Sequence, residues 1–166
     1  MGCDIHSFVE YRDDGRWSVA PGVFVSDHRH DMPQGSEGFF SGREFFEARS
    51  PVDSRNYALF GFLANVRGRG PSCTQLLDGG PHLRGVPDDA SDFVAAERAQ
   101  WGAYGHSPHW LSLRELVSGS MAAAMHHPDY KYFSDQLKFS LDQLVEFADK
   151  RGLDHDDVRL VFWFDN

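Results

Sequence analysis

The stretch Val158-Arg-Leu-Val-Phe-Trp-Phe164 constrains the fold more than any other part of the chain. In extended form it turns Val158, Leu160, Phe162 and Phe164 to one side and Val161 and Trp163 to the other. A strand apolar on both faces belongs inside a sheet, with cover above and below. The rest of the chain must supply that cover and the neighbouring strands.

Cys3 to Tyr11 alternates as a strand does, with Cys3, Ile5, Ser7 and Val9 on one face and Asp4, His6, Phe8 and Glu10 on the other. Asp13-Asp14-Gly15 reads as a hairpin turn and Trp17 to Ala20 as the returning strand. Pro21 to Val52 is rich in Gly, Pro, Ser and charge and reads as a long loop carrying Phe39-Phe40 and Phe45-Phe46. Asn56 to Val66 has a broad apolar stripe, which predicts a buried helix with Ser54 as N-cap and Gly68 and Gly70 as stops. Residues 67–88 form a second expected loop, with Gly79-Gly80-Pro81 and Arg84-Gly85. Asp89 or Ser91 is expected to cap a helix to about Gln100, and Trp101 to Trp110 reads as a further loop. Ser112-Leu-Arg-Glu115 is a capping box that opens a helix. After the break at His126-His127-Pro128, Leu137, Leu141, Leu144, Val145 and Ala148 predict a long helix from about Ser134 to Arg151, stopped by Gly152.

Strands at both ends with helices between them point to an α+β domain spanning 1–166. The expected form is a single sheet containing both terminal strands, with about four helices packed on it and long loops. Its 166 residues suffice for one buried core.

The formal net charge of −9 argues against nonspecific nucleic-acid binding, which needs clustered cations. No apolar run reaches membrane-spanning length. The start MGCDIH lacks the basic and apolar regions of a secretory signal, and His6 stands where a myristoylation motif wants Ser or Thr. Cys3 and Cys73 make neither a disulfide framework nor a CxxC pair, so a reducing cytoplasm is the expected setting. The glycine-rich stretches match neither GxGxxG nor a P-loop, and no nicotinamide or flavin is expected.

Asp4 and His6 leave the same face of the first strand, so a carboxylate and an imidazole can meet one metal ion or substrate. The bland alternative is a polar strand end in solvent. If the terminal strands are neighbours, Asp165 approaches both residues, and Asn166 lies beside it. In Gly105-His106-Ser107-Pro108-His109-Trp110, His106 is a candidate metal ligand or general base and Ser107 a hydrogen-bond donor. A serine nucleophile is disfavoured because no strand-turn-helix elbow surrounds Ser107. Arg55, Arg67, Arg69 and Arg84 lie beside glycines or aromatic residues and can grip an anion by bidentate contact, although a lone arginine is more often a surface ion pair. Two histidine-rich tracts, Asp27-His28-Arg29-His30-Asp31 and His126-His127, read as loop and helix-end chemistry, and Cys3 as a small buried strand residue.

Gly2-Cys-Asp-Ile-His6, Arg55-Asn56-Tyr57, Leu63-Ala-Asn-Val-Arg67, Arg84-Gly-Val-Pro87, Gly105-His-Ser107, Trp110-Leu-Ser-Leu113 and the ending Val161-Phe-Trp-Phe-Asp-Asn166 together resemble a family of bacterial and phage proteins. The resemblance spans the chain and implies that these segments act together, but it carries no activity. Tyr104 departs from it, since an Asp is expected before Gly-His-Ser.

Three functions follow as expectations. In the first, a metal-dependent hydrolase, plausibly a phosphoesterase, holds one divalent ion (zinc, manganese or iron) on Asp4, His6, His106 and Asp165, with His106 and Asp165 catalytic. Arg55, Asn56, Tyr57, Arg84, Ser107 and Trp110 would bind a small anionic or nucleotide-like substrate. In the second, the same arginines and rings capture a small anionic ligand without chemistry. In the third, an acidic surface binds a protein partner. Oligomeric state is left open.

Overall fold

The structure, a computed structural model, describes residues 2–20, 55–67, 72–73, 75, 82–119, 121–122, 126, 128 and 134–165. The expected loop over 21–52 with its Asp27–Asp31 tract, together with Ser54, Gly68, Arg69, Gly70, Gly79-Gly80-Pro81, His127 and Asn166, lies outside the described residues.

The architecture is the expected α+β. Strands β1 (Ile5–Asp13), β2 (Arg16–Val19), β3 (His106–Ser112) and β4 (Val158–Phe164) form one antiparallel sheet in the order β2-β1-β4-β3. Four α-helices are described: α1 (Tyr57–Ala64), α2 (Asp92–Trp101), the short α3 (Leu113–Leu116) and α4 (Ser134–Arg151). A 3-10 turn, His155–Asp157, leads into β4.

β4 is the central strand, and each of its residues is buried. Phe162 and Phe164 join Ile5 and Val9 of β1, Phe60 and Leu63 of α1, and Leu141 and Leu144 of α4 in the larger core. Val161 and Trp163 face the other way, onto a smaller cluster with Phe8, Phe93, Val94, Trp101 and Trp110. The sheet therefore has a broad face under α1, α3 and α4 and a narrower one under α2.

Several boundaries differ from expectation for local reasons. Asn56 caps α1, accepting a bond from the Leu59 amide (3.2 Å), and Asn65 ends the helix in the left-handed region with φ 57°. Ser91 caps α2, which reaches Trp101, and the capping box at Ser112 opens only the single turn of α3. The expected loop before that box is strand β3. The signal was masked by a β-bulge: β3 pairs His106 with Phe164 and His109 with Phe162, so one extra residue interrupts the alternation. Ser107 sits in the bulge with φ 49°.

Arg159 is the one charged side chain on β4, and it is 3% exposed. Its Nε donates to Glu10 Oε2 at 2.8 Å and its Nη1 to Asp89 Oδ1 at 2.7 Å, while Trp17 lies 3.7 Å from the guanidinium carbon. Glu10 Oε1 accepts from the amide of Ser91, the α2 cap residue (2.7 Å). Removing one member of a buried pair strands the other charge. Arg159→Ala should therefore cost about 3 kcal/mol or more in urea unfolding, whereas Arg12→Ala, which breaks the exposed pair with Asp157, should cost under about 1 kcal/mol. Similar losses in the two variants would refute the keystone role of Arg159.

Candidate functional site

The pairing of β1 with β4 brings the predicted residues from both ends of the chain together. Ile5 stands opposite Phe164, so Asp4 and Asp165 meet just beyond the sheet. The Asp165 amide donates to the Asp4 carbonyl (3.2 Å), and the Asp4 amide donates to Asp165 Oδ1 (3.0 Å). The other carboxylate oxygen, Oδ2, lies 3.3 Å from His6 Nε2. A carboxylate acceptor there selects the tautomer with hydrogen on Nε2, leaving the lone pair on Nδ1. The His6 ring lies against Trp101 (centroids 4.0 Å) and beside its cross-strand neighbour Trp163 (6.1 Å).

Asp4 is gripped by Arg55 in a bidentate pair, Nε to Oδ1 and Nη2 to Oδ2, the latter at 2.7 Å. The hydrogen bond from Arg55 holds the Asp4 carboxyl below the usual carboxylate range. The guanidinium lies over Gly2, where an added Cβ would come within 2.8 Å of Nη1 and the end of the Arg55 side chain would have to shift. Arg67 lies across the exposed Tyr57 ring at 5.2 Å, and the Cys3 thiol is pushed up by burial, with Arg67 opposing that shift. Cys3 is fully buried, as expected of a small strand residue, and a thiol so shifted is a poor nucleophile.

No family model, curated protein or solved structure matches the chain. The roles of these residues therefore rest on their geometry.

Three of the four expected metal ligands, Asp4, His6 and Asp165, share the sheet end, and His106 does not join them. His106 pairs with Phe164 and stacks beside its ring (6.0 Å), on the face that packs against Phe60 of α1, whereas His6 lies with Trp163 on the face under α2. Among the described residues, no three His, Cys, Asp or Glu side chains stand close enough together to hold a metal ion. His106 Nδ1 instead contacts Ser107 Oγ at 3.0 Å, and its buried Nε2 has no hydrogen-bond partner among the described residues.

The expected anion clamp is also divided. Arg84 donates to both oxygens of Glu115, the capping-box glutamate (2.9 and 2.6 Å), and stacks over Trp110 at 4.9 Å. Its amide donates to His109 Nδ1 (3.0 Å), which ties residues 82–86 to β3. Arg55 and Arg84 thus occupy separate ion pairs. Asn56 serves as the α1 cap, and Trp110 packs between Arg84 and Arg159.

Residues not singled out from sequence complete the surroundings of His6. Trp101 covers its ring, and Glu97, one turn earlier on α2, is 4% exposed. Both were legible as part of one helical stripe with Phe93 and Val94, had the stripe been read as covering a site.

The Asp4–Arg55 pair has a direct consequence. A carboxyl depressed in the folded state adds stability above its unfolded pKa, and that stability is lost as pH falls through the folded value. Arg55→Gln should return the Asp4 carboxyl toward its ordinary range by NMR titration and shrink the loss of stability on acidification. An unchanged Asp4 titration in the variant would show that the contact does not persist in solution.

Proposed function

We propose that the protein acts on a small anionic substrate of the phosphoester class at the end of the sheet where Asp4, His6 and Asp165 meet, and that the reaction is a hydrolysis. The observation that carries this reading is the His6–Asp165 contact at 3.3 Å, an imidazole oriented by a carboxylate from the far end of the chain. Such a pair fixes both ring orientation and tautomer, the two things a general base needs before its pKa matters. An attacking water would be the proton source. Arg55 supplies the cation for the anionic group. Its bidentate contact with Asp4 is the kind of grip that a two-oxygen anion would take in turn.

The metal-dependent form of this hydrolase would need Asp4, His6 and Asp165 to draw together around an ion, since as placed they do not form a ligand group. It requires Asp4 to exchange Arg55 for the ion, an exchange that would also release Arg55 to the substrate. Oxygen-rich sets with one imidazole accept zinc, manganese or iron.

The test combines elemental analysis with a phosphoester screen on wild type, His6→Ala, Asp165→Asn and Arg55→Ala. The expected outcome is hydrolysis that falls about a hundredfold or more in His6→Ala and Asp165→Asn, with Arg55→Ala raising KM more than it lowers kcat. Metal dependence would appear as about one equivalent of bound ion, lost with His6. Binding of phosphate-bearing ligands without turnover, weakened by Arg55→Ala, would replace hydrolysis with ligand capture. No turnover and no binding would overturn both.

A further inference from the structure

Helix α2 is held to the sheet by few side chains. Of its ten residues only Val94 and Glu97 are buried, against six of the eight in α1. Half of the buried set of α2 is therefore a carboxylic acid. Ala90, Phe93, Val94 and Trp101 all join the small cluster on this face, and Glu97 falls inside the same helical stripe, four residues from both Phe93 and Trp101. Phe93 packs on Phe8 (5.7 Å) and Trp101 on His6 (4.0 Å). Glu97 thus shares the buried stripe of the helix, one turn from each of the residues that make those two contacts.

The surroundings offer its charge little compensation. The one hydrogen bond to Glu97 among the described residues comes from Gln100 Nε2 at 3.5 Å, on the same helix. The charged and titratable groups of the packing elements are engaged elsewhere or exposed, Arg12 of β1 being paired with Asp157. On β1 and β4, Glu10 is bonded to Arg159, and His6 contacts Asp165. Asp89, before the helix, also binds Arg159, and Arg16 of β2 lies exposed. On α2 itself, Arg98 donates to the carbonyls of Gly102 and Gly105, and Asp92 is exposed. The Trp163 indole N–H, fully buried, meets no acceptor among the described residues and so does not serve Glu97 either.

We propose that α2 is an ionisation-controlled cover on His6: uncharged Glu97 lets the helix lie down with Trp101 on the imidazole, and charged Glu97 lifts it. Burial favours the neutral form and raises the pKa of this carboxyl. A group so shifted supports the docked state at low pH, and that support is lost as pH rises through the folded value. A helix with this little buried apolar surface is the element expected to open first. The opening uncovers the His6 ring, so its functional meaning rests on the hydrolytic reading, while the movement itself does not.

The experiment therefore uses neither substrate nor metal. The Glu97 carboxyl is titrated by carbon NMR, and hydrogen exchange of the α2 amides and the Trp101 indole is followed from about pH 5 to about pH 9, corrected for intrinsic rates. The expected result is a Glu97 midpoint above the ordinary glutamate range. Exchange in α2, and not in β4, should rise at least about threefold through that midpoint, and the rise should be absent in Glu97→Gln. Corrected α2 exchange that is independent of pH, or that rises equally in Glu97→Gln, would overturn the proposal. Because Glu97→Gln keeps size and shape, misfolding does not confuse the result. A failed phosphoester screen would leave it standing, and flat exchange would leave the His6–Asp165 reading standing.

Discussion

A charged residue near the start of a strand buried on both faces sets the terms for the rest of this fold. Arg159 cannot reach solvent from β4, so its charge has to be met inside the protein, and an unmet charge there would cost several kcal/mol. Glu10 meets it from β1 and Asp89 from the segment before α2, with Trp17 of β2 lying against the guanidinium. One side chain thereby joins three strands and the entrance of a helix. Because Glu10 also accepts from the Ser91 amide, the position of α2 is tied to the register of β1 against β4. A one-residue slip would move Glu10 to the opposite face and leave both Arg159 and the α2 cap without it.

That register is also what places the candidate site. The same pairing that sets Glu10 beside Arg159 sets His6 beside Trp163 and brings Asp165 to Asp4. The site is assembled from residues almost the full chain length apart, and its geometry depends on a sheet whose ladder is fixed at the other end by a buried ion pair.

The elements with strong periodicity were legible from sequence. The two-faced apolar run of β4, the alternation of β1 and the stripe of α4 each reflect a burial pattern that the backbone geometry imposes directly. The meeting of Asp165 with Asp4 and His6 was legible only as a condition, because periodicity does not say which strands are neighbours; the pairing of β1 with β4 supplies it. What failed was what depends on tertiary placement. β3 was hidden because the bulge at Ser107 and the flanking Gly105 and Pro108 imitate a loop. His106 was assigned to the His6 cluster because sequence gives no way to tell on which face of a sheet a bulged strand will set a side chain. The arginines read as a clamp because their carboxylate partners, Asp4 and Glu115, lie 51 and 31 residues away.

The two faces of the sheet divide stability and responsiveness. The face under α1, α3 and α4 is built almost wholly from apolar side chains, and its helices dock by the hydrophobic effect, which does not change with pH. The face under α2 mixes Val161 and Trp163 with His6, Glu10, Arg159 and Glu97, so its packing depends on which of those groups is charged and which is matched. Arg159 and Glu10 are matched to each other and stay rigid. Glu97 is matched to nothing comparable, and it belongs to the helix whose far end lies on His6. A protein that needs a stable scaffold and a movable cover can have both in one sheet by placing its ion-paired charges under the helix entrance and its weakly matched carboxyl beside the site.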